Sequence, residues 1–288
     1  MKQTPSSILI YGFFSCVLAY GLFLLFNGYR AKMEFDRGVR AFETGDLDSA
    51  IAHFAVTIRL KPGFAGAYYD RGFAYGKQGD FDKAIADFSE VIRLKPDVAD
   101  AYYSRGNAYR EKGDFDKAIG DYTEAIRLQP AHADVYYNRG HAWARKGDFD
   151  KTIADFSAAI QLNPKNAEVY ANRGVVYGKK NDLNRAMADF NEAVRLKPDY
   201  SQAYYGRGVV YGKEGDYDKA LADINEAIRL DPQNARAYYS RGVVYQRKGE
   251  KAKAEADFER AKKLGYQPRN PMDLLFLPGR QDRIGELG

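Results

Sequence analysis

Glycine returns every 34 residues along this chain, at Gly38, Gly72, Gly106, Gly140, Gly174, Gly208 and Gly242. A strict period of this length means a solenoid, because one copy cannot bury its own apolar face and has to stack on its neighbours. With residue 31 as position 1, seven copies fill residues 31–268 without insertion or deletion: 31–64, 65–98, 99–132, 133–166, 167–200, 201–234 and 235–268. The register leaves a short stretch at 1–7, an apolar run at 8–26, a linker at 27–30 and a tail at 269–288.

Within a copy the apolar spacing is that of two helices. Tyr102, Gly106 and Tyr109, at positions 4, 8 and 11, share one face of the first. The turn "KGD" follows, with Gly113 free to take a positive φ and Asp114 placed to cap the second helix. Ala118, Ile119, Tyr122, Ala125, Ile126 and Leu128 form the apolar stripe of that helix, and proline at position 32 (Pro62, Pro96, Pro130, Pro164, Pro198, Pro232) ends it.

An aromatic at position 4, Gly at 8, Tyr at 11, Ala at 20, Phe or Tyr at 24, Ala at 27 and Pro at 32 together resemble the tetratricopeptide repeat. The resemblance implies an all-α, right-handed superhelical solenoid of antiparallel helix pairs, whose first helices line a concave groove for peptides or partner proteins. One departure is constant: the family usually has Leu at position 7, and here every copy has Arg (Arg37, Arg71, Arg105, Arg139, Arg173, Arg207, Arg241).

An arginine at position 7 neighbours positions 4 and 11 on its helix, so its guanidinium can lie along tyrosine faces while its stem covers the core edge. Position 23 of the second helix supplies an acidic partner in six copies (Asp87, Asp121, Asp155, Asp189, Asp223, Asp257), whereas the first copy has His53. A ligand-binding row would vary with the ligand, and this one does not. The arginines are therefore expected to be structural staples.

The groove positions implied by the resemblance are 2, 5, 9, 12 and 13, with 6 nearby. Position 5 is mostly tyrosine (Tyr69, Tyr103, Tyr137, Tyr205, Tyr239), with Phe35 and Ala171 as exceptions. Position 9 varies and includes Asn107 and His141, and position 12 is small in four copies and Arg110 in another. Position 13 is cationic in five copies (Lys77, Arg145, Lys179, Lys213, Arg247). Tyrosines beside cations suit an extended segment bearing apolar and acidic groups. A plainer reading of position 13 remains open, since cations at a helix C-terminus also complement its dipole.

Two clamps of the family can be tested on the same residues. The chaperone-tail carboxylate clamp resembles a Lys at position 5, which is aromatic or Ala here. An asparagine ladder along position 6 has only a faint echo, in Asn138 and Asn172 among Asp36, Asp70, Ser104, Gly206 and Ser240.

The residues from Ile8 to Phe26 carry no charge over 19 positions, about 28 Å of helix, which matches the hydrocarbon core of a bilayer. The expectation is an uncleaved single-pass transmembrane helix (a signal anchor), with cleavage after "VLA" at 17–19 as the alternative. Lys2 precedes the run, while Arg30, Lys32, Arg37 and Arg40 follow it closely, which favours repeats on the cytoplasmic side over the periplasmic or extracellular side.

Leaving aside Lys2 and Arg30, 42 of the 44 Lys and Arg residues face all 39 Asp and Glu. So small a surplus argues against a nucleic-acid partner. Cys16 is the single cysteine and His53, His132 and His141 fall in separate copies, so neither a thiol site nor a metal-ligand spacing is present. No phosphate-binding loop or catalytic constellation is found, and no cofactor or small-molecule substrate is expected.

The chain is thus expected to be a non-enzymatic, membrane-anchored scaffold that binds a protein or peptide in its groove. The alternatives are an exported periplasmic or secreted binding module, or an accessory subunit organising a cell-envelope enzyme complex. The tail "PMDLLFLPG" (271–279) is too short to span a membrane and is expected to fold back on the last copy, with a docking motif or disorder as the alternatives.

Overall fold

The computed structural model describes residues 25–266. They fall in two compact units, Met1–Pro130 and Ala131–Gly288. In the first, residues 25–43 form α1, followed by α2 (Leu47–Leu60), α3 (Ala65–Gln78), α4 (Phe81–Leu94), α5 (Ala99–Glu111) and α6 (Phe115–Leu128). The second contains α7 (Ala133–Lys146), α8 (Phe149–Leu162), α9 (Ala167–Lys179), α10 (Leu183–Leu196), α11 (Ser201–Glu214), α12 (Tyr217–Leu230), α13 (Ala235–Arg247) and α14 (Lys251–Lys263). From α3 to α13 the odd-numbered helices begin 34 residues apart, at Ala65, Ala99, Ala133, Ala167, Ser201 and Ala235. Each unit is a run of helix hairpins in which every even helix from α4 onward packs against the odd helix before it, and odd helices also touch along the stack, α3 with α5, α9 with α11 and α11 with α13.

Local chemistry sets the ends of these elements. Asp80 accepts a hydrogen bond from the Lys83 backbone N–H to cap α4, and Asp46, Asp114, Asp148, Asp182 and Asp216 do the same for α2, α6, α8, α10 and α12. At the other end, the residue before each proline leaves the helix; Lys95 has φ −144° and Lys197 φ −138°, as the clash with the following proline ring requires. Gly113 makes its turn at φ +79°, while the equivalent place before α10 is held by Asn181 at φ 60°, one of the few non-glycine residues that tolerate it.

The core of each hairpin is a small residue opposed to a large apolar one, a ring in every case but α11–α12, where Gly208 faces Ile224. Gly106 lies against Tyr122 so closely that an added Cβ would stand 2.8 Å from the ring, and at Gly242 the Phe258 ring would be 2.7 Å away. Ala118, Tyr122 and Ala125 are fully buried behind that contact, whereas Ile126 and Leu128 are half-buried. On α14, Ala254, Asp257 and Ala261 are buried, while Lys251, Glu255 and Lys262 are exposed.

Residues 27–30, read above as a linker, are helical and belong to α1. A glycine inside a helix costs only about 1 kcal/mol relative to Ala, so Gly28 does not break it. Leu25 and Phe26 are 72% and 58% exposed there. The rest of the apolar run 8–26 lies outside the described residues, as does the tail 269–288. Among the described residues no helix is long and apolar enough to cross a membrane.

Candidate functional site

The invariant arginines are fixed first, because they set where the neighbouring side chains can point. Arg71 Nε and Nη2 donate to the two Asp87 carboxylate oxygens at 2.8 and 2.7 Å, and Arg105 makes the same fork on Asp121. In the second unit Arg139, Arg173, Arg207 and Arg241 repeat it on Asp155, Asp189, Asp223 and Asp257. Tyrosines flank the Arg71 guanidinium on both sides, with Cζ 5.7 Å from the Tyr68 ring and 5.9 Å from the Tyr75 ring. The carboxylate hydrogen bonds hold the Arg71 and Arg105 pKa above the ordinary value, against the pull of burial.

The third guanidinium nitrogen adds a contact that the sequence reading did not identify. Arg105 Nη1 donates to Ser89 Oγ at 3.0 Å, Arg173 to Ser157 at 2.8 Å, Arg207 to Asn191 at 2.9 Å and Arg241 to Asn225 at 2.7 Å. Each acceptor sits at position 25 of the preceding repeat. One arginine thereby ties three helices, and position 25 in the first repeat, Ala55, offers no such acceptor to Arg71. A second tie between repeats was also missed: Lys112 pairs with Asp82, Lys180 with Asp150 and Lys248 with Asp218.

The position-5 tyrosines are half-buried and already engaged within the scaffold. Their rings pack on the position-24 ring of the same repeat, Tyr69 on Phe88, Tyr103 on Tyr122, Tyr137 on Phe156 and Tyr239 on Phe258, at 5.3 to 6.1 Å between centroids. Three of their hydroxyls reach position 6 of the next repeat: Tyr69 meets Ser104 Oγ at 3.3 Å, Tyr205 meets Ser240 Oγ at 3.1 Å, and Tyr137 accepts from Asn172 at 2.8 Å while donating to Glu168 at 2.6 Å. Burial is the main cause that raises the Tyr69 and Tyr137 hydroxyl pKa. Tyr239 also stacks on Tyr266 at 4.5 Å.

The other groove candidates are likewise built in. Asn107 accepts from the Tyr122 hydroxyl at 2.8 Å, Arg110 pairs with Glu111 at 2.6 Å, and the His141 ring stands edge-on to Tyr137 at 4.4 Å. Lys179 lies 5.6 Å from the Phe149 ring centroid. Lys213 donates to the Gly178 carbonyl at 3.2 Å, and burial lowers its pKa. Arg145 and Arg247 occupy the last turns of α7 and α13.

Open concave space lies elsewhere than the tyrosine row alone would suggest. In the first unit a cavity of about 410 Å³ is walled by Val39, Phe42, Glu43, Phe54, Tyr69, Asp70 and Phe73. A second, of about 220 Å³, runs from Phe73 past Lys77, Phe81 and Phe88 to Ser104, Asn107 and Glu111. Phe73, at the variable position 9, borders both and is 42% exposed. The second unit has a more polar hollow bounded by Gln202, Tyr205, Asp231, Arg236 and Tyr266. Among the described residues no cluster of His, Cys, Asp or Glu could hold a metal ion.

Profiles described as "TPR repeat" match residues 106–147, 176–215 and 213–249. Others, described as "Tetratricopeptide repeat", match 35–99 and 69–122, 133–166, 156–188 and 235–264. None of the curated proteins matches the chain. A tetratricopeptide repeat protein from Parabacteroides merdae superposes with a TM-score of 0.66 at 21% identity, covering 86% of this chain and 98% of its own. YrrB, a TPR protein with an unusual peptide-binding site, gives 0.56 at 23% identity over 64% of this chain and 95% of its own. MamA gives 0.51 at 29% identity, over 56% and 94% respectively.

Proposed function

We propose, on the premise that this chain is built of tetratricopeptide repeats, that it is a membrane-tethered adaptor that holds a protein or peptide segment on the faces of its first helices and does no chemistry itself. The observation that carries the reading is the pair of adjoining apolar cavities either side of Phe73, a large exposed ring at a position where the other repeats vary. An exposed aromatic bordering concave space is a natural anchor point for a bound side chain. The fold is shared with YrrB, whose peptide-binding site gives a precedent for such use of the architecture.

The tether is proposed to be the run 8–26, with the repeats on the cytoplasmic side. It is supported by the charge-free composition of that run and by the exposed Leu25 and Phe26 at the start of the described helix. Tyr29, 66% exposed, and Arg30 follow, residues suited to an interfacial anchor.

A photo-crosslinking residue placed at position 73 in the full chain in its native membranes tests the groove. A discrete crosslinked partner, lost when Gly76→Trp is added beside the crosslinker to fill the cavity of about 220 Å³, is expected; unchanged crosslinking in the filled variant would reject the site. Protease treatment of intact cells and of spheroplasts tests the tether. Repeats protected in both fit the cytoplasmic side, and cleavage in spheroplasts selects the exported alternative.

A further inference from the structure

Asp70 is the one position-6 side chain in the described repeats after the first for which the preceding repeat cannot supply a tyrosine hydroxyl through its aromatic ring. Ser104, Asn172 and Ser240 each meet the hydroxyl of a tyrosine 35 residues earlier. The residue 35 before Asp70 is Phe35, whose ring packs on Phe64 at 4.8 Å and Phe54 at 5.7 Å and carries no hydroxyl. Asp70 makes no hydrogen bond or ion pair with any described residue. It is half-buried all the same, and burial alone raises its carboxyl pKa to about 6.

The surroundings do not compensate. The adjoining cavity of about 410 Å³ has walls of Val39, Phe42, Phe54 and Phe73, and its only other charged lining group is Glu43. Arg71, next in sequence, is turned away to Asp87. From α2, His53 is bound to Glu34 of α1 at 2.7 Å. From α5, Asp100 and Tyr103 act on Tyr69 and bring no positive charge. An anion held partly out of water beside apolar walls is costly until a cation reaches it.

We propose that this cavity receives the arginine or lysine side chain of a bound peptide, its charged head on Asp70 and its aliphatic stem and apolar neighbours against Phe42, Phe54 and Phe73. The occupant follows from charge complementarity. Two carboxylates line the space and no cation does, Lys77 of α3 standing over the Phe42 ring at 5.9 Å; a guanidinium or ammonium pairs with Asp70, and aromatic walls favour both the cation and its methylene stem. The preferred ligand of this part of the groove is therefore basic and apolar, opposite in sign to the acidic segment expected from the lysines and arginines at position 13. The inference rests on the peptide-binding reading given above.

The test is selection of a randomised nonapeptide phage library on the purified full chain in detergent. The fluorescein-labelled synthetic peptide that emerges is then titrated by fluorescence polarisation. Peptides with Arg or Lys flanked by Leu, Ile or Phe should be enriched. Their Kd should rise about tenfold with Asp70→Asn, a change that leaves a folded chain because it removes an unpaired charge. Phe35→Tyr, which restores the missing hydroxyl beside Asp70, should weaken binding in the same direction. Wild-type affinity should fall between pH 7 and pH 5 as the carboxylate protonates, and Asp70→Asn should lack that fall. Selected peptides without a basic residue, or an unchanged Kd in Asp70→Asn, overturn the proposal while leaving groove binding in place. Failure to select any peptide overturns both.

Discussion

The opening repeat and those that follow use the same positions to opposite ends. In α3 to α6, and again in α7 to α14, each position-7 arginine is forked onto an aspartate one helix away, with a tyrosine at position 4 and a tyrosine or Trp143 at position 11. In the opening repeat Arg37 instead pairs within its own helix with Glu34 at 2.7 Å, and Glu34 turns its other oxygen to His53. The Arg37 side chain is 49% exposed, against 19% for Arg71. Replacing both flanking aromatics, by Glu34 and Ala41, together with the aspartate and the position-5 hydroxyl has changed a dry seam into a wet one. The same replacement leaves Asp70 and the space beside it open. What is lost as scaffold in the first repeat is gained as a candidate binding surface.

This contrast can be broken most severely at the seam. Asp189→Ala should strand the guanidinium of Arg173, whose side chain is 17% exposed, at a cost of about 3 kcal/mol, whereas His53→Ala should cost clearly less; urea melts of the two variants give the comparison. Next in size is Gly106→Ala, where the new methyl meets Tyr122 and overpacking should cost about 2 kcal/mol, read as a lower melting temperature. The triple change Glu34→Tyr, Ala41→Tyr and His53→Asp gives Arg37 the partners that the later arginines have, and a gain of about 1 kcal/mol is expected.

The smallest effect is acid sensitivity. Side-chain hydrogen bonds from Lys83, Lys117 and Lys219 hold the capping Asp80, Asp114 and Asp216 below their ordinary pKa of 3.8. Stability from a carboxylate lowered in the folded state is present above the unfolded value and lost as pH falls through the folded one. Melting temperature should therefore drop below pH 4, and less so when these three aspartates are replaced by asparagine, which caps without titrating. Equal drops in the variant and the wild type would assign acid unfolding to other groups.

The helices were legible because their signals are local. Asp114 at a cap, proline at position 32 and an apolar stripe of period 3.6 act within a few residues of where they stand, and the boundaries of α6 follow from them. The candidate groove was less legible. Tyr69 and Tyr137 look like free contact residues in a linear reading, yet their hydroxyls are spent on residues 35 and 31 positions away. Phe73 falls at the variable position 9, where nothing in the linear sequence sets it apart, although its exposure and the cavities beside it make it the more accessible ring.

The sequence by itself determined the all-α repeat architecture, since a 34-residue period and its glycines admit no other way of burying the stripe. Which side chains face open space was decided only by tertiary structure. A half-buried carboxylate has an unmet charge or a satisfied one according to what the adjacent repeat places against it, and the difference between Phe35 and a tyrosine acts on Asp70 through space, across 35 residues of chain.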